Sequence, residues 1–200
     1  MSNDFYEQKE REIPPEGKHP ARLIWAIDLG THDSEYEGVK GKKHQIYLCW
    51  ELVDTAMTDG RPFVMGKRYT VSNGQYGVYI AKTSGLHKML RQWQGWPEKA
   101  ASKVENVTTL LHNNAPAFIQ VAHQPKRDNP TEIFAYLELV KPYAGLPLKK
   151  PVNPTLGYAI GGDNLEAVTG WLKKEIVACY ELNGGLPPRE VDFAYEEPVF

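Results

Sequence analysis

Only two cysteines occur in 200 residues, Cys49 and Cys179, far apart and without a CxxC. That excludes a disulfide framework and a zinc site of the usual spacing, and leaves both thiols as small hydrophobes suited to a reducing compartment. Nowhere do 18 apolar residues run together, and Met1 to Glu16 is polar and acidic, so neither a membrane-spanning helix nor a secretory leader is expected, and the chain is assigned to the cytoplasm. The motifs of common chemistry are missing too: no GxxxxGK[ST] phosphate loop, no GxSxG nucleophile elbow, no HExxH metal pair. The six histidines, at 19, 32, 44, 87, 112 and 123, fall at no ligand spacing and are expected on the surface or at strand edges. Nothing in the spacing of Asp28, Glu35 and Glu51 gathers them around a nuclease metal. No catalytic residue, metal or cofactor is expected.

What is plentiful is turn-forming and aromatic: 15 Pro, 17 Gly, 11 Tyr and 5 Trp, with 42% hydrophobic residues to fill a core. One mainly-β domain with many short strands follows. The net charge of −2 hides a pattern, because residues 1–17 carry −3, 18–150 carry +6, 151–184 carry −2 and 185–200 carry −3. A basic body is flanked by acidic ends.

Along the chain, residues 1–17 have no apolar period and form a flexible lead-in. Ala21 to Leu29 alternates, with Leu23, Trp25, Ile27 and Leu29 on one face and Arg22 and Asp28 on the other, and predicts the first strand. Gly30 to Lys43 is expected to be a polar turn. His44 to Val53 predicts the second strand, with Ile46, Leu48, Trp50 and Leu52 inward. Asp59-Gly60 marks a turn, and Pro62 to Ser72 a third strand. The period then changes: Leu86, Met89, Leu90 and Trp93 recur at three and four, so Lys82 to Trp93 predicts an amphipathic helix. Pro97 to His112 predicts a second helical stretch. Trp93 and Trp96 are expected to serve as core and lid. Strands return at Ala117 to His123 and Ile133 to Val140 across a basic turn.

Three strands, a helical insertion and two more strands predict an OB-fold-like five-stranded barrel over residues 18–142, with the insertion between strands 3 and 4. A connector over 143–163, a C-terminal helix over 164–184 and an acidic flexible tail over 185–200 complete the organisation. The helix stripe is Leu165, Val168, Leu172, Ile176 and Cys179, which predicts packing on the barrel or on another copy of the chain.

Single-stranded nucleic acid is held by positive charge that follows the phosphates and by aromatic rings on which unpaired bases stack. Both residue types lie on the predicted strands. Tyr47 is on the polar face of strand two; Lys67, Arg68 and Tyr69 adjoin in strand three; Phe134 and Tyr136 lie opposite the inward residues of strand five. Lys126 and Arg127 mark the basic turn beside them, and Lys42 and Lys43 the first hairpin. Rings and cations of this kind also suit a protein interface, so the alternative is a small β-barrel interaction module, a virion or assembly component or a host-enzyme inhibitor.

The C-terminal residues Glu196, Glu197, Pro198, Val199 and Phe200 resemble the acidic tip of bacterial single-stranded DNA-binding proteins, which close on Ile-Pro-Phe, and of their short-tailed phage counterparts, which end in Phe. Pro and Val stand here in exchanged order. Glu16-Gly17, Ala21 to Thr31, Trp50 to Leu52, Asp59 to Ser72 and Leu86 to Gly95 resemble a pattern of bacteriophage single-stranded DNA-binding, OB-fold proteins, over about residues 16–140. The resemblance implies a non-enzymatic phage protein of the host cytoplasm. It would coat single-stranded DNA during replication or recombination, recruit a polymerase, helicase or recombinase through its tail, and allow homo-oligomers.

Overall fold

A computed structural model describes residues 12–72, 79–80, 84–96, 102–103, 108, 115–168 and 170–184. The fold is mainly β. Three long strands, β1 (Gly17–Tyr36), β2 (Val39–Ala56) and β3 (Pro62–Ser72), form an antiparallel meander. The short β4 (Tyr79–Ile80) pairs with β5 (Ser102–Lys103), and helix α1 (Gly85–Gln94) lies between them in sequence. β6 (Pro116–Pro125) returns to β1, and β7 (Ile133–Pro142) pairs with β6. The sheet order is β3-β2-β1-β6-β7, and β3 also approaches β7. The result is a β-barrel-like sheet whose last seam is not closed by a ladder. There the Lys67 ammonium donates to the Leu137 carbonyl oxygen at 3.1 Å.

The expected five strands gain a sixth. β8 (Leu156–Tyr158) runs parallel to β1 at Trp25–Ile27, along the part of that edge which β6, paired only with Gly17–Arg22, leaves open. Its source is the expected connector, which is pinned across the outside of β1 and β2. Arg22 donates to the Lys149 and Leu148 carbonyls at 2.6 and 2.7 Å, and the Glu51 carboxylate accepts from the backbone N–H groups of Val152 and Asn153 at 2.7 Å.

Two strand readings need correction. The turn expected over Gly30 to Lys43 is strand almost throughout; the chain reverses at Glu37-Gly38, where φ is +50° and +78°, as a two-residue hairpin turn requires. The single apolar face expected for Leu23, Trp25, Ile27 and Leu29 is split. Irregularities between Leu23 and Trp25 and between Asp28 and Gly30 shift the register. Each such bulge changes which face the next residues meet. Leu23 and Ala26 therefore enter the barrel core, whereas Ile27 and Leu29 join a second cluster outside it.

The main core takes Ile46, Leu48, Trp50 and Leu52 from β2, as their alternation predicts, with Leu86, Met89, Leu90 and Trp93 from α1. Trp50 and Trp93 meet edge to face at 5.8 Å, while Trp96 packs against the cluster from outside. α1 starts later than Lys82 because the Ser84 side chain caps it, accepting from the His87 N–H at 3.1 Å, and it ends where Gly95 turns left-handed at φ +67°. Ser84→Ala should lower the unfolding free energy by about 1 kcal/mol, read from a denaturant midpoint at unchanged slope. The helix expected over Pro97 to His112 falls largely outside the described residues, and Ser102 and Lys103 within it are extended.

The expected C-terminal helix is broken. Asp163–Ala167 is a 3₁₀ turn, Val168 is extended, and α2 (Gly170–Val177) begins on a glycine with φ +64°. Burial still follows the predicted stripe: Val168, Leu172, Ile176 and Cys179 are inside, the first three packing with Ile27, Leu29 and Tyr158. Both cysteines are buried free thiols, and burial pushes Cys49 up to about 12 and Cys179 to about 11, so neither is a thiolate at neutral pH. Among the described residues no helix is long and apolar enough to cross a membrane.

Candidate nucleic-acid interface

The ten residues singled out from the sequence do not share one face. Tyr69 is a correction: it is 6% exposed, belongs to the main core, and burial pushes its phenol well above the usual value. It offers no ring to a base. Pro62–Ser72 alternates so that Phe63, Met65, Tyr69 and Val71 point inward, and Lys67, half-buried, reaches across the seam to Leu137. Lys42 and Lys43 are also corrected in place. They sit in β2 opposite Asp33 and His32, not in a turn, and the Lys42 ammonium lies 3.6 Å from the Tyr180 ring centroid.

Tyr47 and Arg68 lie outside the barrel, against α2. The Tyr47 ring meets Trp171 edge-on at 5.2 Å, and its hydroxyl crosses β3 at Gly66, where a Cβ would sit 1.7 Å from the oxygen. Arg68 is bound to Glu175 at 2.5 Å.

On β6 and β7 the two rings do face outward. Ala117, Ile119 and Val121 point into the core, which turns Phe118, Gln120 and Ala122 outward; register places Tyr136 opposite Ala122 and Phe134 opposite Gln124. Phe134 and Tyr136 are half-buried with centroids 6.3 Å apart. Just beyond them, in the loop between β6 and β7, Arg127 is exposed and Lys126 is paired with Glu132.

Four residues not singled out continue this face. Phe118 meets Tyr143 in a tilted contact at 4.8 Å, the Lys18 ammonium lies 3.8 Å from the Phe118 centroid, and Lys141 is the cross-strand partner of Phe118. Strict alternation between inward Ala117 and Ile119 would have exposed Phe118; Tyr143, in a Pro- and Gly-rich stretch, carries no such signal. The depression here, lined by Lys18, Phe118, Gln120, Leu139 and Lys141, holds only about 70 Å³. A small-molecule pocket needs several hundred Å³, so a ligand would lie on this face and not in it.

A second cluster was missed entirely. His44, expected at a surface or strand edge, is 2% exposed, and His87 and His19 are buried too. The His44 Nε2 lies 2.8 Å from Asp28 and its Nδ1 3.2 Å from Glu181, which also accepts from the Thr31 N–H and hydroxyl at 2.9 and 2.6 Å. Burial alone would lower the imidazole pKa, but the two carboxylates outweigh it and raise it to about 9, while His44 and Thr31 hold Glu181 well below the usual carboxylate range against its own desolvation. Gly30 makes the approach feasible, since a Cβ there would sit 2.6 Å from that of Cys179. This cluster clasps the segment after α2 onto β1. Asp28 and Glu51 serve separate contacts, Asp28 with His44 and Glu51 with the backbone of Val152 and Asn153.

The C-terminal residues Glu196 to Phe200 lie outside the described residues. No protein-family model, no curated protein and no solved structure matches this chain.

Proposed function

We propose that this protein binds single-stranded DNA along the outer face of β6 and β7, without strong sequence preference, during phage replication or recombination. The observation that carries the reading is the outer face on which Phe134, Tyr136, Phe118 and Tyr143 lie with Lys18 and Lys141, the β6–β7 loop with exposed Arg127 following directly on β6. Tyr136 and Phe118 stand opposite and on β6 respectively, four residues or about 13 Å apart along the strand. Rings on a sheet stack bases of any sequence, and cations around them gather phosphates and release counterions. The acidic tail, by its resemblance, recruits a polymerase, helicase or recombinase while the sheet holds the strand.

A protein-interaction module is favoured by one observation: Tyr36 and Val39, paired at the tip of the first hairpin, are 71% and 72% exposed. Salt separates the readings. Fluorescein-labelled oligo-dT should bind in preference to a duplex of equal length, by anisotropy. Lys18→Ala and Lys141→Ala should each reduce the slope of log affinity against log salt by about 0.7. No binding at low salt would remove the single-strand reading and leave the hairpin tip as the surface to pursue.

A further inference from the structure

The α2 face carries a second set of the same chemistry. Arg68 Nη2 is 2.5 Å from Glu175 Oε1, and the guanidinium lies over the Trp171 ring, its carbon 4.7 Å from the centroid. We propose that Trp171 and Arg68 form a second single-strand contact, a ring for a base beside a guanidinium for a phosphate, and that Glu175 is the built-in competitor for that phosphate. This rests on the single-strand reading above, and it adds a helix to the sheet face as part of the binding surface.

Three features support it. All three side chains reach solvent, Trp171 at 45%, Arg68 at 43% and Glu175 at 32%. An ion pair this exposed is worth about 0–1 kcal/mol, little enough for a phosphate to displace the carboxylate, and a guanidinium takes either anion through the same fork of N–H donors. Finally, the ring is held in place. Tyr47 backs it edge-on, Leu172 and Ile176 anchor α2 in the outer cluster, and the His44 clasp fixes the chain just after the helix. A preset ring loses little freedom when a base stacks on it.

The test titrates the full chain with fluorescein-labelled oligo-dT. Glu175→Gln should tighten binding about fivefold and steepen the salt slope by about 0.7, as one more phosphate is engaged. Glu166→Gln, which removes an equal charge from the neighbouring 3₁₀ turn and from its pair with Lys173, should do neither. Adding Arg68→Ala to Glu175→Gln should erase the gain. Trp171→Leu should weaken binding about 5- to 150-fold, and Trp171→Phe should restore most of it. If Glu175→Gln and Glu166→Gln tighten binding equally with no change of slope, only long-range charge is at work and the second contact is overturned. If the parent binds through Phe134 and Tyr136 while Glu175→Gln and Trp171→Leu change nothing, this contact fails alone. If neither parent nor Glu175→Gln binds oligo-dT, it falls together with the single-strand reading.

Discussion

His44→Ala is expected to lower the unfolding free energy by about 3–5 kcal/mol, because it leaves Asp28 and Glu181 facing each other with their shared cation gone. Asp28 is 4% exposed, so water cannot replace the imidazolium on that side. Most of the cost is stranded charge, not lost attraction. Adding Glu181→Gln to His44→Ala should therefore recover part of the loss, an interaction that a double-mutant cycle measures directly. The damage should be local first. Tyr180 donates its N–H to the Thr31 carbonyl at 3.0 Å, and faster amide exchange at Tyr180 and Thr31 than in β2 would mark release of the clasp. Equal stability of parent and His44→Ala would mean that the cluster is not charged as described.

The same cluster sets a pH dependence. His44 has its folded pKa raised from 6.5 to about 9, so the folded state holds the proton more tightly. Its contribution is fully present below about pH 6.5 and is lost as pH rises through about 9, a fall of about 3 kcal/mol. Glu181 acts in the opposite sense: its folded pKa is depressed, so its contribution holds above about pH 4.5 and is lost as pH falls. Denaturant midpoints between pH 6 and 8 should decline in the parent and stay flat in His44→Ala, whereas above about pH 9 both should decline, because the buried Cys49 and Cys179 thiols hold their protons more tightly when folded.

The second large effect concerns binding. Each stacked ring is worth about 1–3 kcal/mol, and neighbours on one strand are not additive, so Phe134→Ala with Tyr136→Ala should cost about 2–4 kcal/mol, or roughly 30- to 1,000-fold in oligo-dT affinity. Both rings are half-buried on the outer face, so the double variant should unfold near the parent's midpoint. Tyr69→Ala provides the contrast. Its ring fills the main core, and its removal should cost about 3–5 kcal/mol of stability. If the Phe134/Tyr136 variant binds like the parent, the strand lies elsewhere, and the α2 face becomes the first place to look.

Periodicity was a reliable guide wherever one face of an element meets the core. β2 keeps its inward residues, α1 keeps its stripe, and even the broken C-terminal segment buries Val168, Leu172, Ile176 and Cys179. It misled where a bulge intervenes, because the extra residue on β1 moves Ile27 and Leu29 to a second cluster. It was silent on ring identity: Tyr69 and Tyr136 both stand beside apolar residues in a strand, yet one faces the core and the other the outside.

The sequence by itself determined that the chain is mainly β, the order of its long strands, the helix after the third and the separation of a basic body from acidic ends. Those follow from local spacing and composition, which act within a few residues. Only tertiary structure decided that β8 and α2 cover the outside of the meander, that Phe118, Tyr143 and Lys18 extend the face of Phe134 and Tyr136, and that His44 is buried between two carboxylates. Each of those depends on contacts between distant residues, Glu181 with Thr31 being 150 apart in sequence, and no local pattern encodes such a meeting.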